Sequence, residues 1–291
     1  MEPVAMVSKN RQTIFGQAIK KTTATLAERG LLPFSNVFMS NKPIYILGCQ
    51  RSGTTMLLEV LRRCPEMKVY HEGHRLAFKG EYRFRSVNKI KSLIITSDKQ
   101  YLVFKPLNDI QHIRKYLAIN KNSIIIWIYR HYADVVNSAV VKWGSSQKEI
   151  ISSICKGINN YTDQNAIQEK MNPETLALIK TLYYENMSDQ DGAALLWYVR
   201  NSIYFDIGLH KSNNLLLRYE DLVRNPIDHF STIFQFLNCP FDKSYVEMIY
   251  ATSVRKSAAP KLNCSIEAVC VEMLDKMNTH YQQTRFHSIS M

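Results

Sequence analysis

Apolar residues recur along the chain in two alternating rhythms. Short runs rich in β-branched and aromatic residues, Pro43-Ile44-Tyr45-Ile46-Leu47, Tyr101-Leu102-Val103-Phe104, Ile124-Ile125-Ile126-Trp127-Ile128 and Leu215-Leu216-Leu217, read as buried strands. After each run comes a stretch with helical spacing: Thr54 to Arg63, Asp109 to Leu117, Ala133 to Lys142 and Ile227 to Leu237. Repeated strand–helix units predict an α/β fold with a central parallel sheet flanked by helices.

Between and beyond these units the pattern is helical or weak. Residues 11–29 carry Ile14, Phe15, Ala18, Ile19 and Leu26 at helical spacing before the stop signals Gly30 and Pro33. The stretch 146–208 reads as helices, with Pro173 as a start and Ala193 to Leu209 as a long apolar segment around Trp197. Segment 73–100 is basic and weakly periodic, and reads as a loop or an irregular lid. No Pro, Gly or Ser-rich linker divides the 291 residues, which predicts one domain: an N-terminal helical extension (1–42), a core (43–262) and a C-terminal helical tail (263–291).

Charge narrows the partners. The net charge of +12 suits an anion: a nucleotide, a nucleic acid, a sulfated sugar or an anionic membrane surface. The basic residues are dispersed, and no helix-turn-helix, RNP pattern or zinc finger is visible, so nucleic acid is not the expected partner. No run approaches the about 20 apolar residues of a membrane span, and Met1 to Arg11 lacks a signal-peptide core. The expectation is a cytoplasmic protein without a transmembrane segment. Cys49, Cys64, Cys155, Cys239, Cys264 and Cys270 show no C-x-x-C pairing, which predicts reduced thiols rather than a zinc cage or a disulfide scaffold.

The candidate chemistry begins after the first strand. Gly48-Cys49-Gln50-Arg51-Ser52-Gly53-Thr54-Thr55 is a Gly-bearing turn that delivers backbone N–H groups and hydroxyls to a helix start, a geometry that binds anions. An ATP-binding loop would have Lys where Thr54 stands; the cation here is Arg51 instead. The run 124–128 leads into Arg130, with Ser138 eight residues further, near where an ATPase places an Asp for magnesium. An Arg there points to a second phosphate rather than to a metal.

With Arg51-Ser52-Gly53-Thr54-Thr55, Arg130 with Ser138, and Leu217-Arg218-Tyr219-Glu220-Asp221-Leu222 before Asn225-Pro226, the chain resembles the sulfotransferase family over roughly residues 43–262. The resemblance implies a P-loop-like three-layer domain and 3′-phosphoadenosine 5′-phosphosulfate as donor, with no metal and no second cofactor. It implies that Arg51, Ser52, Gly53, Thr54 and Thr55 hold the 5′-phosphosulfate, that Arg130 and Ser138 hold the 3′-phosphate with Lys142 nearby, and that Tyr219 contacts the adenine. It also places Arg255 and Lys256 in a late basic loop over the nucleotide.

Sulfuryl transfer to a hydroxyl needs a base for the acceptor proton. The small-molecule branch of the family uses a His two residues after a strand-ending Lys; Leu107 stands there, after Lys105. The tyrosylprotein and glycan-modifying branches use a Glu after the second strand, and Val69-Tyr70-His71-Glu72-Gly73-His74 supplies one. On this reading Glu72 is the general base, Arg51 stabilises the leaving phosphate and the sulfuryl oxygens, and Lys105 offsets developing charge; His71 and His74 are rival bases. The acceptor is a peptide tyrosine, a sugar, a lipid or a small alcohol. Arg75, Lys79, Arg83 and Arg85 point to an acidic acceptor or to a solvated basic loop. The alternative function is a P-loop nucleotide or sugar kinase using ATP and magnesium, against which the missing loop Lys and the missing Asp count.

Overall fold

The buried runs lie side by side in one parallel sheet. The computed structural model describes residues 41–157, 171–211 and 214–287. Its strands are β1 (Lys42–Gly48), β2 (Met67–Tyr70), β3 (Phe78–Lys79), β4 (Arg83–Phe84), β5 (Tyr101–Phe104), β6 (Ile124–Tyr129) and β7 (Leu215–Arg218). Five of them form the sheet β2-β5-β1-β6-β7, every pair parallel, while β3 and β4 make a separate hairpin. The helices are α1 (Thr54–Arg62), α2 (Val87–Thr96), α3 (Ile113–Leu117), α4 (Tyr132–Trp143), α5 (Ser146–Lys156), α6 (Pro173–Leu182), α7 (Asp189–Asp206), α8 (Tyr219–Arg224), α9 (Pro226–Phe236) and α10 (Cys264–His287).

Side chains on a strand alternate between faces, so each apolar run serves two cores. Tyr45, Leu47, Phe104, Trp127 and Tyr129 pack with α4, α5, α7 and α10; Ile44, Ile46, Val103, Ile126 and Ile128 pack with α1, α8 and α9. This two-sided burial is why the strands read as continuous apolar runs, and each fully buried side chain such as Leu57 or Phe230 contributes roughly 1.5–3 kcal/mol. All six cysteines are free thiols. Among the described residues no helix is long and apolar enough to cross a membrane.

Three expectations need correcting, and one lies outside the described residues. Segment 73–100 is not a loop: it holds the β3–β4 hairpin and α2, whose start is capped by Ser86 Oγ accepting from the Lys89 N–H. Buried Ile90, Leu93 and Ile94 give α2 its apolar face, and the lysines at 89 and 91 interrupt that pattern in the sequence. The helix expected from Asp109 is a 3-10 segment (Leu107–His112) followed by the short α3, because the Asp109 carboxylate accepts from the Phe84 N–H at 2.6 Å and pairs with Arg83 at 2.9 Å, leaving Asp109 at φ −123°. α7 begins four residues before Ala193, where Ser188 caps it, and ends at Asp206 rather than Leu209. The helix expected over 11–29 falls outside the described residues.

Candidate active site

β1 lies at the centre of the sheet, between β5 and β6, so the turn that leaves it opens into the crevice at the carboxyl edge where such sheets bind ligands. Gly48 makes the close approach possible: a Cβ there would sit 2.2 Å from the Ile128 carbonyl oxygen. The turn then passes through left-handed backbone at Arg51 (φ 68°) and Gly53 (φ 92°). Gly53 caps α1 without a side-chain hydrogen bond, which leaves the first amides of the helix for another partner. Ser52 is fully buried and its Oγ has no hydrogen-bond partner among the described residues. An orphaned hydroxyl beside uncapped amides in a strained turn fits an oxyanion.

The order β2-β5-β1 also brings the ends of three strands together. Lys105, following β5, places its Nζ 3.0 Å from Thr55 Oγ1 on α1 and 3.0 Å from Glu72 Oε2 after β2. The lysine side chain is 8% exposed and the glutamate 22%, so the pair is only partly hydrated. The rival bases have local duties: His71 Nδ1 accepts from the Gly73 N–H and His74 Nδ1 from the Leu76 N–H. Burial, and then His71, hold the pKa of His74 below the ordinary imidazole value. Leu107 is buried, and its carbonyl accepts from Arg200 Nη1 at 3.2 Å.

On the other side of the turn, Arg51 Nε donates to Ser138 Oγ at 2.9 Å, so α4 and the loop are joined through the two residues the sequence set apart. Arg130 is buried. Its Nη1 donates to the Arg51 carbonyl at 3.3 Å, its Nη2 to the Ser253 carbonyl, and it pairs with Asp134 at 3.4 Å. Its Nε has no partner among the described residues. Tyr219 packs between this guanidinium and Gly53, with its hydroxyl 2.6 Å from Ser253 Oγ.

The structure adds residues that the motifs did not reveal. Asp134 accepts from the Arg255 N–H with both oxygens at 3.1 Å, which ties the late loop to Arg130. Trp197 Nε1 donates to the Arg130 carbonyl, and Glu220 accepts from the His131 N–H. The Arg130–Asp134 spacing of i, i+4 was the available signal. By contrast, the side chains of Lys142, Arg255 and Lys256 are exposed and reach none of these groups by hydrogen bond or ion pair. Of the basic residues proposed for an acidic acceptor, Arg83 is paired with Asp109 and Arg85 Nε donates to the Arg75 carbonyl, while Arg75 and Lys79 are exposed.

The parallel sheet β2-β5-β1-β6-β7 with its glycine-bearing first turn defines a P-loop-like α/β fold. Residues 41–267 match the sulfotransferase domain, and the chain belongs to that family. The match spans slightly more than the expected core, and membership replaces the kinase alternative. Among solved structures, the sulfotransferase domain from the curacin biosynthetic pathway is similar at 14% identity and a TM-score of 0.48, with 80% of this chain and 97% of that one covered. The sulfotransferase domain of the Synechococcus PCC 7002 olefin synthase gives 16% identity, a TM-score of 0.47 and coverage of 82% and 96%. Sulfotransferase STF9 from Mycobacterium avium gives 12%, 0.44, and coverage of 91% and 81%. No curated protein sequence matches the chain.

Proposed function

We propose that this sulfotransferase takes the sulfuryl group of 3′-phosphoadenosine 5′-phosphosulfate and passes it to a hydroxyl acceptor, with Glu72 as general base. The observation that carries the reading is the continuous chain Thr55–Lys105–Glu72, which joins a carboxylate to the anion-binding turn through one ammonium group. The donor supplies an activated sulfur with a phosphate leaving group.

The residues divide into two ends. Arg51, Ser52, Gly53, Thr54 and Thr55 hold the 5′-phosphosulfate, which the unpartnered Ser52 hydroxyl and the uncapped start of α1 support. Arg130 and Ser138 hold the 3′-phosphate, and the free Nε of Arg130 supports that assignment. Tyr219 and the loop from Ser253 to Lys256 flank the nucleotide. As the acceptor oxygen bonds to sulfur, the bond from sulfur to the 5′-phosphate oxygen breaks and its electron pair leaves with adenosine 3′,5′-bisphosphate. Glu72 takes the hydroxyl proton, while Lys105 and Arg51 face the charge that grows on the sulfuryl and phosphate oxygens.

Thermal melting with adenosine 3′,5′-bisphosphate, beside ADP with magnesium, tests the donor assignment. A ligand that binds only the folded chain raises its melting temperature. A rise with the bisphosphate alone is expected; a rise only with ADP and magnesium would overturn the assignment.

A further inference from the structure

Arg200 is a buried cation that forms no ion pair among the described residues. It lies on α7 one turn beyond Trp197, whose indole reaches the Arg130 carbonyl, so this face of α7 runs beneath the loops of the carboxyl edge. The residue is 6% exposed. Its Nη1 donates to the carbonyl of Leu107, on the same turn that carries Lys105. Among the described residues Nε has no partner, no hydrogen bond is made by Nη2, and no carboxylate forms an ion pair with the group. Two titratable groups feel its charge, Cys49 and Glu72. Burial pushes the Cys49 thiol up to about 12, so it is neutral, and Glu72 already pairs with Lys105. Burial lowers the pKa of Arg200 from its ordinary value, but a guanidinium stays protonated at neutral pH.

A desolvated cation without a counter-ion destabilises the fold, and an apolar side chain of similar shape would serve packing better. Nε and Nη2 lie along one edge of the planar guanidinium, and with Nη1 anchored on Leu107 that edge is a free fork matched to a two-oxygen anion. We propose that Arg200 recognises an oxyanion carried by the acceptor, a carboxylate, sulfate ester or phosphate ester, so that the preferred substrates are anionic alcohols or phenols. The inference rests on the function proposed above. Its anchor Leu107 sits two residues after Lys105, whose Nζ reaches Glu72, the proposed base for the acceptor hydroxyl, and this favours the acceptor over the sulfuryl group of the donor.

The test is calorimetric titration of the full chain saturated with adenosine 3′,5′-bisphosphate, using 4-hydroxybenzoate as the probe and neutral 4-hydroxybenzamide as its control. The benzoate binds the wild type and the amide does not. Arg200→Met weakens benzoate binding by about 10–100-fold, the factor for one charge-assisted hydrogen-bonded contact. Because Met removes an uncompensated charge, the melting temperature of the ligand-free variant is unchanged or higher. Arg200→Lys, which keeps the charge but loses the fork, gives intermediate affinity. Equal binding of the two probes, no binding of either, or benzoate binding unchanged in Arg200→Met would overturn the proposal. So would a lower melting temperature or failure of that variant to fold, since Arg200 would then be a clamp for Leu107. A variant that loses affinity for the sulfated donor but keeps it for the bisphosphate would reassign the fork to the sulfuryl group, again against the proposal. Failure of the bisphosphate to bind the wild type would strike the proposed function instead.

Discussion

The guanidinium of Arg130 lies 4.4 Å over the ring of Tyr219. That ring is also the surface on which Gly53 rests, since a Cβ at Gly53 would come within 2.3 Å of Tyr219 Cδ2. Three segments distant in sequence therefore share one aromatic plate, and the turn after β1 cannot move independently of Arg130. Gly53→Ala should break this arrangement. The left-handed backbone at φ 92° and the collision together should cost about 1–3 kcal/mol of stability. Melting temperature and bisphosphate affinity should both fall; an unaltered affinity would separate the turn from nucleotide binding.

Lys105 joins two groups whose removal should have unlike effects. Lys105→Met leaves Glu72 in a largely enclosed place without its cation, and should lower the transfer rate by about 10²–10³-fold, the scale for losing one electrostatic contact to the transition state. Thr55→Val, which keeps the Lys105–Glu72 pair, should weaken donor binding more than it slows transfer. Single-turnover rates together with bisphosphate affinities check both.

Arg83 reads in the sequence as a site for an acidic acceptor, but its partner is Asp109, which also accepts the Phe84 N–H. Asp109→Ala should cost roughly 3 kcal/mol, because it removes the ion pair of a partly buried guanidinium and the acceptor of the buried Phe84 amide. Bisphosphate affinity should hold. Denaturant unfolding gives the stability, and a loss well below 1 kcal/mol would mean that the hairpin is held by other contacts.

At the far end of α7, His210 and His280 stand with ring centroids 6.1 Å apart. Burial holds both pKa values below the ordinary imidazole value; Lys211 adds to this for His210, and His210 adds to it for His280. The unfolded chain then binds more protons than the folded one, so stability rises with pH. This contribution is complete above the unfolded value of about 6.5 and is lost as pH falls from there through the lower folded values. His280→Phe should flatten the decline in melting temperature between about pH 7 and pH 5. An identical slope in the variant would place the acid sensitivity elsewhere.

The parts of the fold that are contiguous in sequence were the parts legible from it. Buried runs flanked by helices on both sides announce a parallel sheet, and Arg51 to Thr55 form a turn whose purpose is local. What joins distant segments was not legible. The Glu72–Lys105 contact follows from β2 lying beside β5, an order that no local pattern encodes. Glu72 and Lys105 were found only through family resemblance, and Arg200 was not found as a site residue at all. Arg200 sits inside an apolar helix and its hydrogen-bond partner is 93 residues away. α2 was missed because its lysines interrupt a short apolar stripe.

The most direct test of the central claim is transfer of labelled sulfate from 3′-phosphoadenosine 5′-phosphosulfate by Glu72→Gln, measured in a single turnover across a panel of hydroxyl acceptors on which the wild type is active. The substitution keeps the shape of the side chain and removes its ability to take a proton. The transfer rate should fall by about 10²–10⁴-fold, the range for loss of a general base, while bisphosphate affinity stays within about twofold of wild type. A variant that transfers sulfate at the wild-type rate would contradict the account and turn attention to His71 and His74.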